Sequence, residues 1–132
     1  MASSIGNKRP LSPHLLIYRL SPTMVMSGLH RITGFVMYFG TLIVAWWVVA
    51  VASGPQAYEL AQRVLGSWIG ILVLVGYSWS LIHHMLGGLR HLIWDTGRGL
   101  GKAETTAFAH ATWIGSAVLT VLFWAAIWFG RG

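Results

Sequence analysis

Charge is missing from three long stretches of this chain. Residues 32–52 (21 positions), 64–89 (26) and 105–130 (26) contain no Asp, Glu, Lys or Arg, and all four prolines fall outside them. About 20 apolar residues cross roughly 30 Å of hydrocarbon, so each stretch is long enough to span a bilayer as a helix. The pattern predicts an all-α membrane protein with three transmembrane helices, at about 26–52, 64–93 and 105–129, in one domain covering 26–132. Residues 1–25 read as a polar leader interrupted by Pro10, Pro13 and Pro22. Ser53-Gly54-Pro55 closes the first span, since Gly and Pro punctuate helices. Residues 57–63 read as a short interfacial turn of helix, and Gly97, Gly99 and Gly101 mark the second loop.

Composition agrees. Of the 132 residues 55% are hydrophobic and 9% charged, against roughly 25% charged in soluble domains. Cysteine is absent. That excludes disulfides, thiolate haem ligation and cysteinyl iron–sulfur clusters within this chain, and leaves histidine for any metal chemistry. The only acids are Glu59, Asp95 and Glu104, which argues against a proton pump built on intramembrane carboxylates. No nucleophile–base pair, paired-carboxylate site or phosphate loop is legible, so no catalytic residue is assigned.

The net charge of +6 has a direction. Lys8, Arg9, Arg19, Arg31, Arg90, Arg98 and Lys102 fall on the side of the N-terminus and second loop, against Arg63 and Arg131 opposite. The positive-inside rule then puts the N-terminus in the cytoplasm and the C-terminus outside. So short a basic patch on so apolar a chain does not indicate nucleic-acid binding. The leader lacks the apolar core of a secretory signal and the composition of a transit peptide, which favours a bacterial inner membrane. Trp46, Trp47, Trp68 and Trp128 fall near the outer interface and Trp94 near the inner one, as interfacial anchors do. Small residues on the third span (Ala109, Gly115, Ala117, Ala125, Ala126) invite a neighbouring helix, and three helices seldom enclose a large cofactor unaided. A partner membrane subunit is expected.

Ionisable groups inside spans are functional-site candidates by default. His84 lies about two turns from the cytoplasmic end of the second span. Gly88 stands one turn away on the same face, where a side chain would block a porphyrin. Arg90 and His91 follow, suited to haem propionates. His91 shares the His84 face but lies roughly 10 Å along the axis, so the two cannot sandwich one iron, and a second ligand must come from another helix. The competing reading makes His84 a hydrogen-bonded helix contact. His83 is at similar depth but about 100° around the helix. A second constellation, Ser27, His30 and Arg31, shares one face of the first span. Its hydroxyl and guanidinium suit a quinone carbonyl, and His30 and Arg31 a propionate. Equally, Arg31 snorkels to headgroups and Ser27 caps the helix; spacing alone favours this plainer reading.

The segment His84-x-x-x-Gly88-Leu89-Arg90-His91-Leu92-x-Trp94-Asp95-x-Gly97 resembles the signature of the cytochrome b membrane-anchor subunits of succinate dehydrogenase. Arg9-Pro10-Leu11-Ser12-Pro13-His14 and Ser27-x-x-His30-Arg31-x-x-Gly34 resemble that family's N-terminal motifs, and with three matching spans the similarity covers nearly the whole chain. The resemblance implies that His84 is the axial ligand of haem b, that His30 and Arg31 lie near the propionates, and that Ser27 and Arg31 line a ubiquinone site. It further implies a complex with a second small membrane subunit carrying the other haem ligand, an iron–sulfur subunit and a flavoprotein. Alternatives are a fumarate reductase anchor and a haem-free structural or assembly anchor. One departure is the doubled histidine; His84 is preferred because it sets the spacing to Gly88 and Arg90.

Overall fold

A computed structural model describes residues 19–130. The Arg9–His14 motif and the last base, Arg131, lie outside the described residues. Four helices follow in order: α1 (Pro22–Ala52), α2 (Pro55–Leu65), α3 (Trp68–Asp95) and α4 (Lys102–Phe129). Three of them, α1, α3 and α4, are long and apolar enough to cross a membrane. The chain is therefore an all-α, multi-pass membrane protein.

Local chemistry explains where the helices begin and end. Ser21 accepts the Met24 N–H through its hydroxyl and Pro22 occupies the first turn, where a missing N–H costs nothing. The helix thus starts ahead of the apolar span estimated from about 26, because capping rather than hydrophobicity sets its end. At 31 residues it is about 46 Å long, so it tilts or projects beyond the hydrocarbon. The uncharged run 64–89 does not form one helix. α2 ends at Leu65, and Ser67 caps α3 by accepting the Gly70 N–H at 3.1 Å. The second loop turns through Gly97 and Gly99 at φ of 76° and 70°, a region that L side chains rarely enter. The Trp94 indole donates to the Gly99 carbonyl at 2.9 Å and pins that loop to the end of α3.

α3 is the central helix, packed against both α1 and α4. Fewer than one in five residues of each span is buried, and those that are buried are mostly small or polar: Thr33, Gly40, Ser80, His83, Gly87, Arg90, Ala109, Thr112, Ser116 and Thr120. This inverts the pattern of a soluble core. Lipid is as apolar as leucine, so small residues that let backbones approach, and hydroxyls satisfied by their own helix, hold the bundle together. Thr33, Thr112 and Thr120 each donate to a carbonyl one turn back. Two of the small residues expected to face a partner subunit turn inward instead. Ala109 is 1% exposed, and a Cβ at Gly115 would meet Leu86 at 3.4 Å; Ala117 and Ala126 remain exposed. Trp46, Trp47, Trp68 and Trp128 are all exposed, with Trp68 and Trp128 the most open of the four.

Candidate functional site

The two constellations read separately from the sequence form a single site between α1 and α3. His84 is half-buried and directs its ring at α1, where its imidazole stacks on that of His30 with centroids 3.9 Å apart and planes 9° off parallel. His30 in turn lies 5.3 Å from His91. The α1 histidine therefore fills the axial gap between the two α3 histidines. Backbone proximity makes this possible: a Cβ on Gly87 would overlap the His30 ring, and one on Gly34 would come within 3.0 Å of His84. Gly87 is the residue whose role sequence reasoning missed. Its neighbour Gly88 meets nothing within 4 Å, so its open side faces away from this chain's own helices.

His84 has a defined tautomer. Its Nδ1 lies 3.1 Å from the His30 carbonyl and 3.4 Å from the Thr33 hydroxyl. The carbonyl can only accept, and Thr33 already donates to Leu29 and His30, so Nδ1 carries the proton. Nε2 keeps its lone pair, and no described residue bonds it. A ring N–H held by a backbone carbonyl is the usual second contact of a metal-ligating histidine, fixing the ring and raising the basicity of the other nitrogen. His83 differs. It is 1% exposed and its Nδ1 lies 3.1 Å from Ser116 on α4, so its ring is sealed inside the bundle.

Where α1 begins and α3 ends, a cavity of about 290 Å³ is lined by Thr23, Ser27, His30, Arg31, Arg90, His91 and Trp94. Two guanidiniums and two imidazoles meet there with no carboxylate among the lining residues. Arg90 is 4% exposed and stands 5.0 Å above the Trp94 ring; among the described residues neither its Nε nor His30 Nδ1 has a partner. A buried cation without a counter-ion is costly, and a buried donor without an acceptor costs about 1–3 kcal/mol. The site is built for an anion or a polarised oxygen that the described residues do not supply. Ser27 is not the cap of α1, a task Ser21 performs; its hydroxyl lines the cavity beside Arg31. Among the described residues no three of His, Cys, Asp or Glu converge on a bare metal ion.

A family model for the succinate dehydrogenase/fumarate reductase transmembrane subunit matches residues 6–124. The chain belongs to this family. The succinate dehydrogenase cytochrome b556 subunit of Paracoccus denitrificans is 42% identical over 122 residues, covering 92% of this chain and 94% of that protein. The corresponding subunit of Rickettsia conorii is 37% identical over 121 residues, covering 91% and 94%. The mitochondrial succinate dehydrogenase cytochrome b560 subunit of Sus scrofa is 36% identical over 105 residues, covering 78% of this chain and 62% of that protein. This chain is accordingly a membrane-anchor subunit of a succinate dehydrogenase. Within that anchor, His84, His30, Arg31, His91 and Ser27 all fall at one α1–α3 seam, and Gly88 lies on its open side.

Proposed function

We propose that this subunit supplies one axial ligand to a haem b and one wall of a ubiquinone-reducing site at the cytoplasmic side of a bacterial inner membrane. The observation that carries the reading is the His84 imidazole, with Nδ1–H held by the His30 carbonyl at 3.1 Å and Nε2 unclaimed. The other residues fit the same group. Gly88 offers an unobstructed helix surface, and His30, Arg31, Arg90 and His91 present the cationic and donor set that two propionates require. A haem b held by these residues would supply one-electron chemistry beside a two-electron quinone. A second ligand to the group would come from a second small membrane subunit, since His83 is turned into the bundle and His91 lies too far along α3.

Ser27 and Arg31 act on the quinone. A hydroxyl and a guanidinium aimed at a carbonyl oxygen stabilise the negative charge that grows there during reduction, and charge-assisted bonds of this type are about twice as strong as neutral ones. This chain oxidises no succinate: it carries no cysteine for a cluster and no dinucleotide fingerprint. A flavoprotein and an iron–sulfur subunit deliver the electrons. The N-terminus faces the cytoplasm. The relatives' names favour the succinate-oxidising direction over a fumarate reductase anchor.

The test is an optical spectrum of the purified complex reduced with dithionite. Low-spin b-type bands are expected in the wild type and their loss in His84→Ala; a wild-type complex lacking the bands, or a His84→Ala variant that retains them, rejects the ligand assignment.

A further inference from the structure

The doubled histidine gives α3 two different attachments. His83 and His84 are consecutive, so their side chains leave the helix about 100° apart. His84 reaches α1, with Nδ1 3.1 Å from the His30 carbonyl. His83 reaches α4, with Nδ1 3.1 Å from the Ser116 hydroxyl. Ser116 already donates to the Trp113 carbonyl at 2.9 Å. It therefore accepts from His83, whose proton must sit on Nδ1. Both imidazoles hold the same tautomer, and each ties the central helix to a different neighbour.

The α4 side of this contact is selective. Thr112, Ser116 and Thr120 form a buried stripe spaced by four, and each donates to its own helix. Ser116 alone among them takes a bond from another helix. Trp79 packs on the His83 ring at 5.1 Å and stands edge-on to Trp113 at 6.5 Å, closing the same seam. Rotation of α3 about its axis would stretch the His83 bond, the His84 bond or both. In hydrocarbon no water replaces a broken hydrogen bond.

We infer that His83 is a positioning residue: its bond to Ser116 sets the roll of α3, and so the direction in which His84 presents Nε2 and Arg90 and His91 meet the quinone cavity. The inference rests on His84 being the haem ligand, as proposed above. It assigns a role to the histidine that departs from the family pattern.

The test uses the assembled complex, with ferric low-spin haem EPR, the quinone KM and the rate of succinate oxidation by a soluble dye. Ser116→Ala removes the acceptor without touching α3, whereas Ser116→Thr retains it. Ser116→Ala and His83→Leu are expected to keep the wild-type haem-to-flavin ratio and dye activity while shifting the largest g value and raising the quinone KM several-fold. Ser116→Thr is expected to restore both. If His83→Leu does not assemble, Ser116→Ala decides alone. Wild-type g values and KM in Ser116→Ala, or an equal shift in Ser116→Thr, overturn the inference. If His84→Ala keeps the full low-spin spectrum, the ligand assignment fails instead, and the clamp is read without haem. A Gly40→Cys/Tyr77→Cys pair on the α1–α3 seam, where a Gly40 Cβ would overlap the Tyr77 ring, reports α3 roll in a chain with no cysteine of its own. Its disulfide yield should fall several-fold with Ser116→Ala; an unchanged yield overturns the clamp.

Discussion

His30, His83, His84 and His91 carry four different environments within the same leaflet. His83 is sealed against Ser116, and His84 is half-buried with one nitrogen committed to a carbonyl. His30 stacks between its neighbours with no partner for Nδ1 among the described residues, and His91 is exposed, its Nδ1 bonded to the Gly87 carbonyl at 2.7 Å. Residue type says only that each can ligate or hydrogen-bond; the partner of Nδ1 decides which. Ser27 and Arg31 are exposed at the cavity rim, so replacing them should disturb ligand contacts and leave packing alone. Ser27→Ala or Arg31→Ala is expected to lower succinate–quinone reductase activity by one to two orders of magnitude, about 1.4–2.8 kcal/mol of transition-state stabilisation. Succinate oxidation with an artificial soluble acceptor should persist. Parallel loss of both activities would mark an assembly defect and remove these residues from the quinone site.

At the scale of elements, glycine controls how closely α1 and α3 approach. Gly34, Gly40 and Gly87 each face a ring from the opposite helix, whereas Gly88 faces open space. Helical phase puts Gly88 on the His84 face in the sequence but does not show that Gly87 is the glycine pressed on α1, because that neighbour lies elsewhere in the chain. Gly87→Ala must displace His30, and overpacking of this type costs about 1–3 kcal/mol. A lowered melting temperature of the complex is expected, with a disturbed haem spectrum. Gly88→Ala is expected to leave thermal stability near wild type while lowering haem content per flavin. The reverse pattern would exchange the roles of the two glycines. The interruption at Gly66-Ser67 was equally hidden: both residues pass as span in an uncharged run, and only the Ser67 cap on Gly70 shows that the chain ends one helix and begins another.

For the whole molecule, the small buried fraction is the main fact. α1, α3 and α4 direct most of their large apolar side chains outward. The end of the bundle near α2 is closed differently from the end that carries the candidate site. An apolar cavity of about 420 Å³ lies there between Trp47, Trp124, Trp128 and the end of α2, with no ionisable lining, while every cation of the candidate site is at the other end. The distribution of bases predicts one topology, with the start of α1 and the loop after α3 in the cytoplasm. A reporter active only outside the cytoplasm is expected to be active when fused after the last residue of α4 and inactive when fused in the loop after α3, which contains Arg98. Activity in the loop fusion would invert the orientation and place the quinone site on the outer leaflet.

The amino-acid sequence by itself determined the number of spans, their approximate limits, the direction of the charge bias and the signature carrying His84, Gly88, Arg90 and His91. These are properties a bilayer senses along one dimension: hydrocarbon thickness selects apolar length, and interfacial charge selects side. The tertiary structure decided how each helix is rolled about its axis. That roll made one site of two constellations, by placing His30 between His84 and His91. It also turned His83 toward Ser116 and buried Ala109 instead of presenting it to a partner. A lipid-facing apolar side chain is equally content at any angle, so hydrophobicity cannot choose the roll. Interhelical hydrogen bonds and glycine contacts choose it, and their partners lie tens of residues away in the chain.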